Sequence, residues 1–183
     1  MSIYFVRHGQ DEDNAAGLLN GRRDDDLTDY GRQKALETAR KLKEQGIKTI
    51  YSSPLKRAQQ TAHIIAGELR VNRIMIEPHL TERDFGVATG YPVAEMAKFA
   101  SQTLSDNKFT YPLDTPQAET FPKAYQRAAA LLEKIKQQYP EQNVLLVSHG
   151  EFGKMLRAAA QGISWQDGVK SPYIENGEII KLL

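Results

Sequence analysis

The sequence contains no cysteine, which excludes disulfides, thiolate zinc, iron–sulfur ligation and cysteine nucleophiles together. No apolar run approaches the ~18–20 residues that span a bilayer, and Ser2 to Val6 is too short for the apolar region of a signal peptide. Charge of one sign is also missing. Lys and Arg total 24 against 23 Asp and Glu, a net +1, so no whole-molecule field draws in DNA, RNA or an anionic membrane. No like-charge block is longer than Asp24-Asp25-Asp26, and there is no internal repeat or low-complexity tract. What remains is a chain of 183 residues, 40% hydrophobic and 26% charged, long enough to bury a core of its own. The expectation is a cytoplasmic globular protein with neither nucleic acid nor membrane as partner.

Apolar runs alternate with helical periodicities, the pattern of an α/β chain around a parallel sheet. Ile3-Tyr4-Phe5-Val6 reads as a buried strand. A helix is expected from about Thr28 to Gln45, with Ala35, Leu36, Ala39 and Leu42 on one stripe and Gly46 as its stop. Thr49-Ile50-Tyr51 is a second strand, running into an N-cap serine, Ser53, with Pro54 at the first helical position. The helix after it turns Ala58, Thr61, Ala62, Ile65, Ala66 and Leu69 inward. Ile74-Met75-Ile76 reads as a strand and Phe121 to Tyr139 as a long helix. Val144-Leu145-Leu146-Val147 is the central strand, and Phe152 to Gln161 a helix stopped by Gly162. Glu178 to Leu182 is an edge strand. Residues 87–119 carry no period and are read as a short insertion or cap within a single domain spanning 1–183.

Two of the four histidines share a setting. Val6-Arg7-His8-Gly9 follows the first strand and Val147-Ser148-His149-Gly150 the central one. In a parallel sheet both emerge at the C-terminal edge, where open α/β folds bind ligands. One His-Gly pair is as readily a simple turn; two, both directly after strands, point to a site. Gly9 and Gly150 would let the backbone approach that pocket. Arg7 offers a fork of donors for phosphate or carboxylate, with a surface salt bridge as the plainer alternative. Arg57 falls one turn into the helix after Ser53, near an anion-attracting helix start, although its spacing alone favours a solvated helix face. The polar loop Gln10 to Arg23, with Asn14, Asn20 and Gly21, is long enough to wrap a ligand. Asn14 serves equally well as a phosphate donor or an Asx-turn residue. Glu82 follows the third strand and suits a general acid if burial raises its pKa, or else is a surface glutamate partnering Arg83. His63 and His79 fit structural or surface roles.

There is no Gly-x-Gly-x-x-Gly, P-loop, Gly-x-Ser-x-Gly or His-Glu-x-x-His, and no metal cluster with workable ligand spacing. Two histidines, two arginines and a carboxyl suit phosphoryl transfer without a metal or other cofactor, with a histidine attacking phosphorus.

At this point the sequence resembles the histidine phosphatase superfamily, the phosphoglycerate mutase-like proteins, over nearly its whole length. Arg7-His8-Gly9 with Asn14 is similar to the family's N-terminal signature. Leu27-Thr28, Gly31, Gln33 and Ala35 form a similar series, and Tyr51-Ser52-Ser53-Pro54-Leu55-Lys56-Arg57-Ala58 is close to the second signature. Leu80-x-Glu82-x-x-x-Gly86 and Ser148-His149-Gly150 complete the match. The resemblance implies a three-layer α/β/α sandwich with a mainly parallel central sheet. It implies His8 as nucleophile, Glu82 as proton donor and later base for water, and Arg7, Arg57 and His149 around the phosphoryl group. Asn14, Gly21 and Gly150 complete the expected substrate contacts. His8 must be neutral to attack, whereas His149 would help most if charged beside the phosphate.

The sequence departs from the family pattern at the acidic Gln10-Asp11-Glu12-Asp13, at Thr89-Gly90 where a Glu-Gly pair is common, and at Gln117-Ala118-Glu119 where Gly-Gly-Glu is usual. The acids disfavour substrates with large anionic tails. The short insertion favours a phosphatase of a small phosphorylated metabolite over a mutase, with a non-catalytic phosphate sensor as a further alternative. A homodimer is compatible with this reading.

Overall fold

Side chains along the buried strands alternate between two helical layers, and that alternation sets the architecture. The computed structural model describes residues 1–183. In Ile3–Arg7 (β1) and Asn143–Ser148 (β6), Ile3, Phe5, Val144 and Leu146 join one buried cluster, whereas Tyr4, Val6, Leu145 and Val147 join the other. Strands covered on both faces read as unbroken apolar runs, as these do.

Between β1 and β6 lie Glu12–Ala16 (α1), Asp29–Leu42 (α2), Ile47–Ser52 (β2), Lys56–Leu69 (α3), Ile74–Ile76 (β3), Thr103–Ser105 (β4), Thr110–Pro112 (β5) and Phe121–Gln138 (α4). Gly150–Gln161 (α5), Trp165–Lys170 (α6) and Ile179–Lys181 (β7) follow. The sheet order is β3-β2-β6-β1-β7; β7 alone runs antiparallel, beside β1. Helices α2 and α3 cover one face; α4, α5 and α6 cover the other. The fold is the expected three-layer α/β/α sandwich with a mainly parallel sheet. No helix is long and apolar enough to cross a membrane.

Two close approaches fix the layers. A Cβ on Gly153 would stand 2.3 Å from the Phe5 ring, so glycine there lets α5 seat directly on β1. A Cβ on Gly9 would stand 2.3 Å from the Gly31 carbonyl oxygen, locking the chain after β1 against the start of α2.

The start of α3 differs from the expectation. It begins at Lys56 with Leu55 at the cap, not at Pro54 with Ser53 capping. Ser53 stays in register with the sheet, its N–H bonded to Val147 O at 3.0 Å, and its hydroxyl is drawn to His149. The Lys56 N–H is instead capped across the fold by Asp24 Oδ1 at 2.6 Å. Helix α5 starts two residues earlier than expected, directly after His149. Helices α1 and α6 were not expected from periodicity, being only 5 and 6 residues long.

Residues 87–119 are built from short 3-10 turns, including Val93–Phe99, and the β4–β5 hairpin. The hairpin turns at Asp106, whose carboxylate accepts the N–H groups of Lys108 and Phe109 at 2.6 and 2.7 Å, an Asx arrangement. Ala88, Met96 and Tyr111 from this segment are buried in the core on the α4/α5 side.

Candidate active site

Four strand ends supply the site. β1 delivers Arg7 and His8, β2 leads to Ser53 and Arg57, β3 to Glu82, and β6 to His149. The His8 and His149 ring centroids are 5.0 Å apart. Arg57 Nε bridges them, donating at 3.3 Å to His8 Nε2 and to His149 Nδ1. The other guanidinium nitrogens of Arg57 are held by backbone carbonyls, NH1 by Arg23 O at 2.6 Å and NH2 by Gly21 O at 2.7 Å. Arg57 is thus fully buried, because the end of the 10–23 loop folds over the α3 start. It is not the solvated arginine that spacing alone favoured.

The hydrogen-bond network assigns both imidazole tautomers. His8 Nδ1–H donates to Gly9 O at 2.6 Å, leaving the Nε2 lone pair toward Arg57. His149 donates from Nε2 to Ser53 Oγ at 2.8 Å and accepts at Nδ1. Burial, with Arg57 and then Arg7 adding to it, holds the His8 pKa well below the usual histidine range. Burial, Arg57 and His8 do the same to His149. Two buried cations flank the rings before any phosphate arrives and disfavour a charged His149 there; the charge expected beside the phosphate belongs to the bound state.

The Arg7 guanidinium donates through NH1 to the Tyr173 hydroxyl and to Ile174 O at 2.7 Å, while its Nε has no partner. Glu82 Oε1 accepts the N–H groups of Arg83 and Phe152 at 2.9 and 2.8 Å, and Oε2 that of Glu151 at 3.2 Å. The first turn of α5 therefore cradles the carboxylate, and those amides are not free for phosphate. Arg127 steadies the Glu82 segment: it binds Glu119 through both carboxylate oxygens at 2.9 and 2.7 Å and donates to Thr81 O at 2.8 Å.

Arg7, Asn14, Glu82 and Gly150 line a cavity that leaves ≈ 80 Å³ for the centres of water-sized molecules. His8, Arg57 and His149 lie behind them, buried. Asn14 Oδ1 accepts from Asn176, which also donates to His8 O, each at 3.0 Å. Gly21 does not line the cavity; its carbonyl holds Arg57 instead. A Cβ on Gly150 would lie 3.3 Å from the Arg7 guanidinium carbon, so this glycine does give room beside the site. Gly9 does not, since its close approach is to α2. His63 and His79 lie outside the cluster, His79 beside Glu77.

Sequence reasoning missed several members. Ser53 holds His149, and its place directly after a strand was the available signal. Asp11 was noted only as part of an acidic run, yet its carboxylate is buried against Arg57 while Glu12 is exposed and Asp13 pairs with Arg23. Of those acids, Asp11 alone reaches the cluster. Lys154, buried in an apolar helix stripe, gave no signal at all.

A family profile of the histidine phosphatase superfamily (branch 1) matches residues 3–183. The chain belongs to that superfamily. Among its relatives is phosphoglycerate mutase-like protein 4 of Arabidopsis thaliana, 35% identical over 153 residues that cover 81% of this chain and 66% of that protein. The probable phosphoglycerate mutase GpmB of Proteus mirabilis is 32% identical, with 99% of this chain and 91% of that protein covered. A solved mutant of the Entamoeba histolytica phosphoserine phosphatase, in complex with phosphoserine, superposes with a TM-score of 0.80 at 27% identity, covering 97% and 88% of the two chains. Mutases and phosphatases thus stand side by side among the relatives of this histidine phosphatase family member.

Proposed function

We propose that the chain is a phosphatase hydrolysing a small phosphomonoester through a phosphohistidine on His8. One observation carries this reading. The Nδ1–H of His8 is pinned on Gly9 O, so its Nε2 is an unprotonated nitrogen flanked by two arginines, the form a nucleophilic imidazole needs.

In the first step the Nε2 lone pair forms a bond to phosphorus as the bond from phosphorus to the alcohol oxygen breaks. Glu82, protonated for this step, gives its proton to that oxygen. Arg7 and Arg57 stabilise the equatorial oxygens. Entry of the phosphoryl group requires Arg57 Nε–H to exchange its imidazole acceptors for a phosphoryl oxygen. His149, taking up a proton at Nδ1 beside that anion, donates a hydrogen bond to it, with Asn14 and the Gly150 backbone completing the contacts. In the second step Glu82 takes a proton from water, which attacks phosphorus; phosphate leaves and His8 is restored. Gly21 acts by holding Arg57. No cofactor enters this scheme. Residues 87–119 act as the cap, within one domain.

Hydrolysis is favoured over a mutase reaction by the cation inventory. A mutase must hold a second anionic group of its substrate. Lys154, the one lysine lining the cavity, spends its donors on Asp106 Oδ2, Val169 O and Ser171 O at 2.5–2.8 Å.

The test is turnover of p-nitrophenyl phosphate with EDTA present, comparing the native chain with His8→Ala. Activity that survives EDTA and disappears in His8→Ala, with acid-labile phosphate recovered on His8 by mass spectrometry, is the expected outcome. Phosphate on another residue, or full activity in His8→Ala, would overturn the reading.

A further inference from the structure

Much of the lining of the same cavity is apolar. The 3-10 turn 93–99 contributes Val93 and Met96 to this wall, the hairpin contributes Phe109, and Leu18, Phe85 and Tyr173 close the remainder. Its cations are committed elsewhere. Arg7 holds Tyr173 and Ile174 through NH1 and keeps its unpartnered Nε for the phosphoryl group, and Lys154 is saturated by its three acceptors. Lys108, over the Tyr173 ring, is tied to Glu175 at 2.7 Å. Both carboxylates of the wall, Glu82 and Glu151, are buried there. Glu151 Oε2 is engaged by Arg83 Nε at 2.5 Å.

We propose that this wall receives the alcohol half of a compact, uncharged, apolar phosphomonoester, aryl or branched in shape, and turns away esters whose alcohol carries a carboxylate. This rests on the phosphatase reading above and narrows its substrate class. The physical reason is desolvation. An apolar ring leaves water for an apolar, aromatic surface at no polar loss. A carboxylate there would shed its hydration beside the Glu151 carboxylate, with no uncommitted cation to replace water.

The test compares benzyl phosphate with 4-carboxybenzyl phosphate, whose leaving alcohols have nearly the same acidity. The native chain is expected to favour benzyl phosphate in kcat/KM by at least roughly tenfold. Val93→Lys, which sets a cation in the wall without touching the residues around phosphorus, is expected to shrink that ratio severalfold. Glu151→Gln should shrink it as well, with circular dichroism reporting whether either variant has lost the fold.

Calorimetric binding of both esters to His8→Ala reads the preference apart from turnover. Equal kcat/KM and equal affinity would overturn the substrate class while leaving the phosphatase reading intact. Absence of turnover with a preserved binding preference would overturn the reaction and keep the pocket.

Discussion

Asp11 Oδ2 stands 3.1 Å from Arg57 Nε, and neither side chain has exposed surface. A carboxylate therefore sits where a phosphoryl oxygen would approach the same guanidinium. Asp11 is also tied to the backbone N–H of Asn14 and to the Asn20 amide, so it cannot swing clear cheaply.

Competition for Arg57 should be visible with sulfate, an anion that does not titrate near neutrality. Burial raises the Asp11 pKa, and an anion beside Arg57 pushes it further up. Asp11→Asn is expected to tighten sulfate as a competitive inhibitor at about pH 8 by roughly tenfold, about 1.4 kcal/mol. The native chain should bind sulfate better as pH falls, and the variant much less so. Identical inhibition profiles for the two proteins would remove Asp11 from the anion site.

Stability should depend on pH through the two site histidines, and the sign follows from their lowered pKa values. As pH falls through about 6.5, the unfolded chain takes up protons at His8 and His149 while the folded chain does not. Stability is thus fully present above about pH 6.5 and declines below it, by about 1–2 kcal/mol per histidine at pH 5. Urea denaturation across this range should show the decline. His149→Asn should remove about half of it; an undiminished slope in the variant would count against a neutral buried His149.

Ser53→Ala deletes the acceptor of His149 Nε2–H. The imidazole then loses the group that fixes its tautomer, and a loss of roughly tenfold or more in kcat is expected, with a smaller change in KM. Nitrogen NMR of His149 should show mixed tautomers in the variant. A merely structural serine would leave that spectrum unchanged.

Glu82→Gln should discriminate between leaving groups. Loss of a general acid costs about 10²–10⁴-fold when the departing oxygen needs a proton. The loss should be much smaller for p-nitrophenyl phosphate, whose phenolate leaves readily, than for benzyl phosphate. An equal loss on both would mean that Glu82 only positions the start of α5, whose N–H groups it receives.

Asp13 carries the opposite pH signature to the histidines. Burial, followed by its contact with Asp25, raises its pKa to about 6. An acid raised on folding favours the folded state at low pH and loses that contribution as pH climbs through the folded value. Asp13→Asn is therefore expected to raise Tm at about pH 8, by about 2–4 °C for each kcal/mol relieved, and to have little effect near pH 4. A lower Tm at pH 8 would show that its ion pair with Arg23 outweighs the burial cost.

The strands of the main sheet were legible because a sheet covered on both faces demands unbroken apolar runs, and Ile3 to Val6 and Val144 to Val147 are such runs. The two His-Gly pairs after those strands marked the sheet edge. The resemblance then supplied Arg57 and Glu82, which no periodicity could have singled out.

The sequence by itself determined the two-layer burial and the histidine pair. Tertiary structure alone decided the rest. Arg57 is buried because Gly21 and Arg23 turn their carbonyls on it from a loop more than thirty residues away in sequence. The Ser53 hydroxyl is shared with His149, which arrives from the end of another strand. The states of both imidazoles came from desolvation and from arginines that converge only when the sheet forms, and long-range fields of that kind have no local sequence signature.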